Sequence, residues 1–200
     1  MSLFPEDKEH FTLPNAQLIY IPNFFSKSQS DLYFNQLYKE TNWQEDDIKV
    51  FGKTYKQPRL TALYGNHSKP YSYSSITMHP KPFTPLLKTI KNAVEAKSHH
   101  VFNTILLNLY RNGSDSNGWH ADNEPELGKN PVIASLSFGE VRPFHFKHRT
   151  LKEERHRLNL GHGSLLIMKG EMQHYWLHQI AKTKKQILPR INLTFRNLKL

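Results

Sequence analysis

Seven segments with the pattern of β-strands follow one another in the second half of the chain, and they constrain the fold more than any other feature. They cover residues 101–110, 131–138, 142–147, 157–160, 164–168, 174–178 and 190–196. Upstream, Ala16 begins a further strand, while Ser26 with Gln29 forms a capping box that predicts a helix to about Lys39. Thr84 followed by Pro85 predicts the start of a second helix. We therefore expect a mainly β α+β fold, with outer helices around antiparallel sheets that close as a jelly roll, or double-stranded β-helix.

Length and composition indicate one folded domain spanning residues 1–200, because 38% of the residues are hydrophobic and no linker or repeat divides the chain. The absence of cysteine excludes disulfides, thiolate metal sites and cysteine nucleophiles. No apolar run approaches the ~18 residues of a membrane span, and the first residues lack a signal-peptide pattern. We expect a cytoplasmic monomer without a membrane partner, or a nuclear one in a eukaryote.

A basic balance of 27 Lys and Arg against 17 Asp and Glu gives a formal net charge of +10. Such a surface attracts phosphate backbones by counterion release, although it also occurs in proteins that never bind nucleic acid. Two clusters stand out in the sequence: Lys147, His148, Arg149, Lys152, Arg155 and Arg157, and Lys182, Lys184 and Lys185. Charge by itself supports nucleic-acid binding only modestly.

The segment NLYRNGSDSNGWHADNE, residues 108–124, has the pattern of a metal site. His120 and Asp122 are two residues apart, so in an extended segment both side chains lie on one face. A second His would complete a 2-His-1-carboxylate triad, which leaves open positions on Fe(II) for oxygen chemistry. Spacing leaves the third ligand open among His145, His148, His156, His162, His174 and His178.

Two strand patterns place polar groups on one face. In VFNTILLNLY, residues 101–110, Asn108 and Tyr110 alternate with Leu107 and Leu109. In RINLTFR, residues 190–196, the polar face consists of Arg190, Asn192, Thr194 and Arg196. Two arginines on an inward strand face require anions.

A hairpin is predicted around Gly52, which can take the positive φ of the turn between DIKV and a second strand at residues 59–64. Phe51 then lies near the tip, either as an exposed wedge or packed inward. Tyr71 and Tyr73 share one face of the following strand and offer two aromatic rings in register.

The ordered segments NLYRNGSDSNGWHADNEPELG, PVIASLSFG, HGSLLIM, HYWLH and LPRINLTFR resemble the AlkB family of Fe(II)- and 2-oxoglutarate-dependent dioxygenases. The resemblance covers nearly all of the chain from about residue 48 and implies Fe(II) as metal, with 2-oxoglutarate and O2 as co-substrates. It implies His120, Asp122 and His178 as iron ligands. For 2-oxoglutarate, it implies Asn108, Tyr110, Arg190, Asn192 and Arg196.

The AlkB homologues that act on double-stranded DNA are the more similar ones. This resemblance implies a jelly-roll core at 100–200, a nucleotide-recognition lid at 46–80, and an intercalating hairpin formed by Val50, Phe51 and Gly52. The further substrate contacts it implies are Arg59, Tyr71, Tyr73, Glu124, Lys184 and Lys185. Asn123 and Thr183 depart from the pattern of the duplex-acting relatives.

The expected activity is oxidative demethylation of 1-methyladenine and 3-methylcytosine, flipped from duplex DNA, with release of formaldehyde, succinate and CO2. One alternative is demethylation of RNA or single-stranded DNA. The others are a catalytically silent nucleic-acid-binding module and a zinc hydrolase that uses the same three ligands.

Overall fold

A computed structural model describes residues 9–50, 52–73 and 76–199, without the side chains of residues 49, 50 and 71–73. Within these residues, the helices are α1 (Lys27–Glu40), α2 (Pro85–Ser98) and the short α3 (Met172–Tyr175). The strands before α2 are β1 (Glu9–Leu13), β2 (Ala16–Ile21), β3 (Asp47–Val50), β4 (Lys53–Lys56), β5 (Leu60–Gly65), β6 (Tyr71–Tyr73) and β7 (Ile76–Met78). Those after α2 are β8 (Thr104–Tyr110), β9 (Asn117–His120), β10 (Ile133–Gly139), β11 (Arg142–His148), β12 (Arg155–Leu160), β13 (Ser164–Lys169), β14 (Trp176–Ile180) and β15 (Arg190–Arg196).

Two antiparallel sheets of the described chain form the jelly roll that the sequence predicts. The larger has the strand order β1-β2-β13-β10-β15-β8-β5, and the smaller has β12-β11-β14-β9. One apolar cluster lies between them and includes Leu106, Leu166 and Trp176. A second covers the other face of the larger sheet, where Ile90 of α2 and Phe195 of β15 are fully buried. Because both faces are covered, every residue of β8 and β15 is buried.

Both predicted helix starts are present. Oγ of Ser26 accepts a hydrogen bond from the backbone N of Gln29 and completes the capping box, while Oγ1 of Thr84 accepts one from the backbone N of Leu87. No helix in the described residues is both long and apolar enough to cross a membrane.

The segment 174–178 differs from its predicted strand. The backbone carbonyl of Glu171 accepts hydrogen bonds from the backbone N of His174, at 2.9 Å, and of Tyr175, at 3.2 Å. This short helical turn delays the strand until Trp176. His174 and His178 therefore do not share one strand face, contrary to the period-two expectation.

The predicted hairpin is present with a different second strand. Gly52 has φ +77° and connects β3 to β4, which pair antiparallel from Asp47↔Lys56 to Val50↔Lys53. The segment predicted at residues 59–64 is instead β5, and it pairs with β8 at the edge of the larger sheet. This places Arg59, immediately before β5, beside the residues of β8.

Candidate metal centre

Three potential metal ligands come together where the end of β9 lies beside the middle of β14. His120 is the last residue of β9, and Asp122 lies two residues further along the chain. His178 of β14 pairs directly with His120 across the antiparallel ladder. One ligand atom from each residue lies within 4.8 Å of the others, and the imidazole centroids are 4.3 Å apart. Of the six histidines that spacing left open, the geometry brings His178 to this group. In the described residues, the other five lie outside it.

The ring of His120 is oriented by its own strand. Its Nδ1 lies 2.7 Å from the carbonyl oxygen of Gly118, and because a carbonyl only accepts, Nδ1 carries the proton. Nε2 then keeps its lone pair and faces the cavity side, where Nδ2 of Asn117 donates to it at 3.1 Å. A second hydrogen bond that fixes the tautomer in this way is usual for metal-ligating histidines.

The charge states suit a divalent metal. Burial by itself raises the pKa of Asp122, but the nearby charge of Arg196, followed by the contributions of His178 and His120, lowers it to about 2. Burial lowers the pKa of His178 to about 3 and that of His120 in the same direction. At neutral pH, the centre therefore offers one carboxylate and two neutral imidazoles, the donor set of non-haem Fe(II) sites.

A cavity of about 360 Å³ extends from these ligands toward β8 and β15. The predicted polar face of β15 lines it with Arg190, Asn192, Thr194 and Arg196, and that of β8 lines it with Asn108 and Tyr110. Arg196 donates from Nη2 to Oδ1 of Asp122 at 2.8 Å. The two ends of β15 thus face different parts of one cavity, with Arg196 at the metal ligands.

Arg190 is a buried cation at the start of β15, the end away from Arg196. Its Nη2 donates to Oγ of Ser137 at 2.9 Å, and its guanidinium carbon lies 5.3 Å from the ring centroid of Tyr110. Its Nε and Nη1 are buried and have no hydrogen-bond partner in the described part of the chain. Burial lowers the pKa of Arg190 to about 10, so it is still charged at neutral pH. A buried charge with open donors favours an anionic ligand.

Arg59, one of the substrate contacts that the resemblance implies, immediately precedes β5. It is 6% exposed and lines the cavity. Its Nε donates to Oδ1 of Asn108 at 2.8 Å, and its Nη1 donates to the carbonyl of Ser116. This position follows from β5 being part of the larger sheet, and the substrate role of Arg59 stays a prediction.

Glu124 borders the same cavity and immediately precedes the 3-10 turn Pro125–Leu127. Its Oε2 is buried and has no hydrogen-bond partner among the described residues. Phe51 lies outside the described residues, as do the side chains of Val50, Tyr71 and Tyr73. The roles of these four residues therefore stay predictions.

Lys184 and Lys185 are exposed on the segment between β14 and β15. This segment is fastened to the turn after β8, because the backbone N of Thr183 donates to the carbonyl of Gly113 at 2.8 Å. A Cβ on Gly113 would lie 2.5 Å from the carbonyl oxygen of Thr183, so the two backbones touch at a glycine. The two lysines are thereby held at one place on the surface.

Three residues that contact this region were not found from the sequence. Asn117 and Gln173 are single polar residues, and no spacing pattern marks them in the sequence. Asn117 contacts His120, and Oε1 of Gln173 accepts a hydrogen bond from the backbone N of Asp122 at 2.9 Å. Arg142 is 2% exposed and donates from Nη2 to the carbonyls of Asp115 and Ala181. Its inward orientation could have been predicted, since the period of two in β11 places it on the same face as buried Phe144.

The family model for the 2OG-Fe(II) oxygenase superfamily matches residues 17–196. The human alpha-ketoglutarate-dependent dioxygenase alkB homolog 3 is 44% identical over 186 residues, which cover 88% of this chain and 64% of that protein. The human DNA oxidative demethylase ALKBH2 is 38% identical over 184 residues, covering 87% and 70%. A solved structure of OsALKBH1 superimposes with a TM-score of 0.66 at 18% identity, over 95% of this chain and 99% of that one.

Fold and site define the class, a jelly-roll oxygenase with a two-histidine, one-carboxylate centre. The chain belongs to the AlkB family of the 2OG-Fe(II) oxygenase superfamily. That family implies Fe(II), 2-oxoglutarate and O2, and the ionised Asp122 with the neutral histidines fits the metal. The alternatives of a zinc hydrolase and a silent binding module find no support in these matches. The chain spans 64% of the length of human alkB homolog 3.

Proposed function

We propose that this chain is an oxidative demethylase of N-methylated DNA bases, with 1-methyladenine and 3-methylcytosine as substrates. The observation that carries the proposal is the unpaired carboxylate oxygen of Glu124, buried at the cavity that also holds the three ligands and Arg190. The relatives named as a DNA oxidative demethylase and an alkB homolog support the same chemistry.

His120, Asp122 and His178 hold the metal, and Arg196 keeps one carboxylate oxygen of Asp122 engaged so that the other faces the metal position. When bound with 2-oxoglutarate and O2, Fe(II) supplies the oxidation that hydroxylates the N-methyl group, with succinate, CO2 and formaldehyde as products. The contribution of the protein is to position the co-substrate and the base and to exclude water.

Arg190 binds the carboxylate of 2-oxoglutarate that lies away from the metal. Its open Nε and Nη1 groups can donate hydrogen bonds to this carboxylate, and the ring of Tyr110 covers the guanidinium from one side. Asn108 and Asn192 present amide groups beside it, each oriented by a buried partner: Arg59 for Asn108, and Ser135 for Asn192. A planar guanidinium gives the co-substrate a fixed orientation that an ammonium would not.

Glu124 recognises the damaged base. Its carboxylate accepts a hydrogen bond from the exocyclic amino group, and its negative charge favours 1-methyladenine and 3-methylcytosine, which are cationic. In a buried environment, such a charge-assisted hydrogen bond is stronger than one exposed to water. An uncharged base that lacks the methyl group gains less from Glu124.

Duplex DNA is the substrate that the hairpin favours. The β3–β4 hairpin turns at Gly52 within the proposed lid, residues 46–80. We assign Val50 and Phe51, which adjoin Gly52 in the sequence, the role of an apolar wedge that fills the gap left by an extruded base. We assign Tyr71 and Tyr73 to the base pocket, and the exposed Lys184 and Lys185 to phosphate contacts. Asn123 and Thr183, which depart from the duplex-acting pattern, favour single-stranded DNA or RNA as the second candidate.

The test is mass spectrometry of an oligonucleotide carrying one 1-methyladenine, incubated as a duplex and as a single strand with protein, Fe(II) and 2-oxoglutarate. We expect loss of the methyl group, faster in the duplex, and no loss with His178→Ala. Phe51→Ala should slow repair of the duplex and leave the single strand unchanged. Equal rates of Phe51→Ala on both substrates would support the single-strand candidate, and succinate release without demethylation would contradict the proposed substrate.

A further inference from the structure

The short helix α3 lies between the two segments that supply the metal ligands. It leads directly into β14, which carries His178, and its Gln173 reaches the segment that carries the other two ligands. Oε1 of Gln173 accepts the hydrogen bond from the backbone N of Asp122 at 2.9 Å. One side chain therefore joins the His120–Asp122 segment to the element that supplies the third ligand.

Gln173 is enclosed at this contact. It is 1% exposed, and Asp122 is 3% exposed, so water does not offer the Asp122 backbone N–H an alternative acceptor. The other end of the Gln173 amide is also used, since its Nε2 lies 3.7 Å from Sδ of Met168. The amide orientation is thus set on both sides.

The position of Asp122 depends on two contacts of different kinds. Arg196 holds its carboxylate, and Gln173 holds its backbone. Asp122 lies beyond the last residue of β9, so no ladder of that strand fixes its main chain. The backbone contact consequently has to come from a side chain.

We infer that Gln173 is a positioning residue for the metal centre, one that fixes the main chain of Asp122 so that its carboxylate meets the two histidines. This inference rests on the proposed function only through the assignment of His120, Asp122 and His178 as the metal ligands. Gln173 touches neither metal nor substrate, and its effect passes through Asp122.

His174 provides a matched control in the same helix. Its Nε2 accepts a hydrogen bond from the backbone N of Asn130 at 3.2 Å. His174 therefore also contacts the loop that follows Asp122, but at the end of that loop away from the metal ligands. His174 is exposed, unlike Gln173. If docking of the loop in general determined the metal site, both residues would matter.

The experiment measures Co(II) affinity and the visible spectrum of bound Co(II), using protein stripped of metal with EDTA, together with the Tm of each metal-free variant. Gln173→Met keeps the length of the side chain and removes the acceptor oxygen. We expect it to weaken Co(II) binding about 10- to 100-fold, the range found for partners of metal ligands, and to change the spectrum. Gln173→Glu keeps an acceptor at this place and should bind Co(II) more tightly than Gln173→Met. His174→Ala leaves Gln173 unchanged and should bind Co(II) about as tightly as the unsubstituted protein.

The inference is overturned if Gln173→Met binds Co(II) as tightly as the unsubstituted protein. It is also overturned if Gln173→Glu loses affinity as far as Gln173→Met does, or if His174→Ala does so. Should Gln173→Met fail to fold, Gln173→Ala, which also removes the acceptor oxygen, takes its place in the same comparison. Failure of the unsubstituted protein to bind Co(II), or full binding by Asp122→Ala, would instead contradict the metal assignment on which the proposed function depends.

Discussion

The guanidinium of Arg196 donates from Nη2 to Oδ1 of Asp122 at 2.8 Å, and both side chains are at least nine-tenths buried. This pair joins the end of β15 to the metal ligands. Arg196 is also the largest of the causes that lower the pKa of Asp122, whereas burial raises that pKa. The metal centre and the polar face of β15 are therefore electrostatically coupled.

Arg196→Met should make metal binding more sensitive to acid. Without the guanidinium, burial raises the pKa of Asp122, and the protonated carboxyl is a poor ligand as the pH falls. We expect the ratio of Co(II) affinities at pH 8 and pH 6 to increase by about tenfold or more over the unsubstituted protein. Arg196→Lys, which keeps the charge, should change the ratio less. An unchanged ratio in Arg196→Met would show that Arg196 does not control ionisation of Asp122.

Arg190→Met should raise the KM for 2-oxoglutarate by about 30-fold or more, because removal of a buried cation from an anion costs roughly 2–5 kcal/mol. Co(II) affinity should stay within about twofold, since Arg190 lies at the opposite end of β15 from the metal ligands. Arg157→Met removes an equal charge from the exposed face of β12 and serves as the control. Succinate release measured against 2-oxoglutarate concentration gives the KM, and an unchanged value would contradict the assignment.

Glu124→Gln should lower kcat/KM for 1-methyladenine by about 10- to 100-fold, because a hydrogen bond to a charged group contributes about 1.5–3 kcal/mol. Succinate formation without substrate should persist, since Glu124 is neither a proposed metal ligand nor a proposed 2-oxoglutarate contact. Glu126→Gln, in the adjacent 3-10 turn, is the matched control. Equal repair by the two variants would remove Glu124 from base recognition.

Replacing Lys184 and Lys185 together with Ala should weaken DNA binding and flatten its salt dependence. Each phosphate contact contributes about 0.9 to the slope of log affinity against log salt, so losing two should reduce that slope by about 2. Ala at both Lys39 and Lys88, which are exposed on α1 and α2, makes the same change in net charge elsewhere. Fluorescence anisotropy between 50 and 200 mM salt measures both, and identical slopes would exclude a local contact.

Metal-free protein should lose stability as the pH falls below 6.5. The pKa of His178 is lowered in the folded protein from its ordinary 6.5 to about 3. Below pH 6.5, this residue therefore binds a proton more readily in the unfolded chain than in the folded protein. For this one group, the loss is about 1.4 kcal/mol per pH unit until the folded pKa is reached. Urea unfolding in EDTA at pH 7.5 and 5.5 measures it, and His178→Asn should show a smaller difference. An equal difference in the variant would assign the acid sensitivity to other groups.

Period-two alternation predicted the faces of β8 and β15 because each runs through the sheet without interruption. The polar residues Arg190 and Asn108 accordingly line the cavity as the sequence indicates. The same rule failed at His174, where hydrogen bonds to the carbonyl of Glu171 form a helical turn that no alternation reveals. The capping box at Ser26 was predictable because it is local in sequence.

Long-range pairing decided what local patterns could not. The position of His178 follows from its register opposite His120, and spacing alone left five other histidines open. The burial of Arg59 could not be predicted from local patterns, because it depends on β5 joining β8. The paired residues of these strands are 39 to 49 positions apart along the chain, from Gly65↔Thr104 to Leu60↔Leu109. Gln173 gave no signal because its partner is a backbone group 51 residues away.

The contact at Gly113 has a consequence for how the protein tolerates change. Any side chain at this position would meet the carbonyls of Thr183 and Lys185 at 2.5 and 2.9 Å, both of them backbone atoms that cannot rotate away. A saturation library scored for repair should therefore reject nearly every replacement at Gly113, although it lines no cavity. It should accept most replacements at neighbouring Ser114, which is exposed. A buried glycine outside the metal centre would thus rank with the metal ligands in mutational sensitivity, for a reason that concerns the spacing of two backbones.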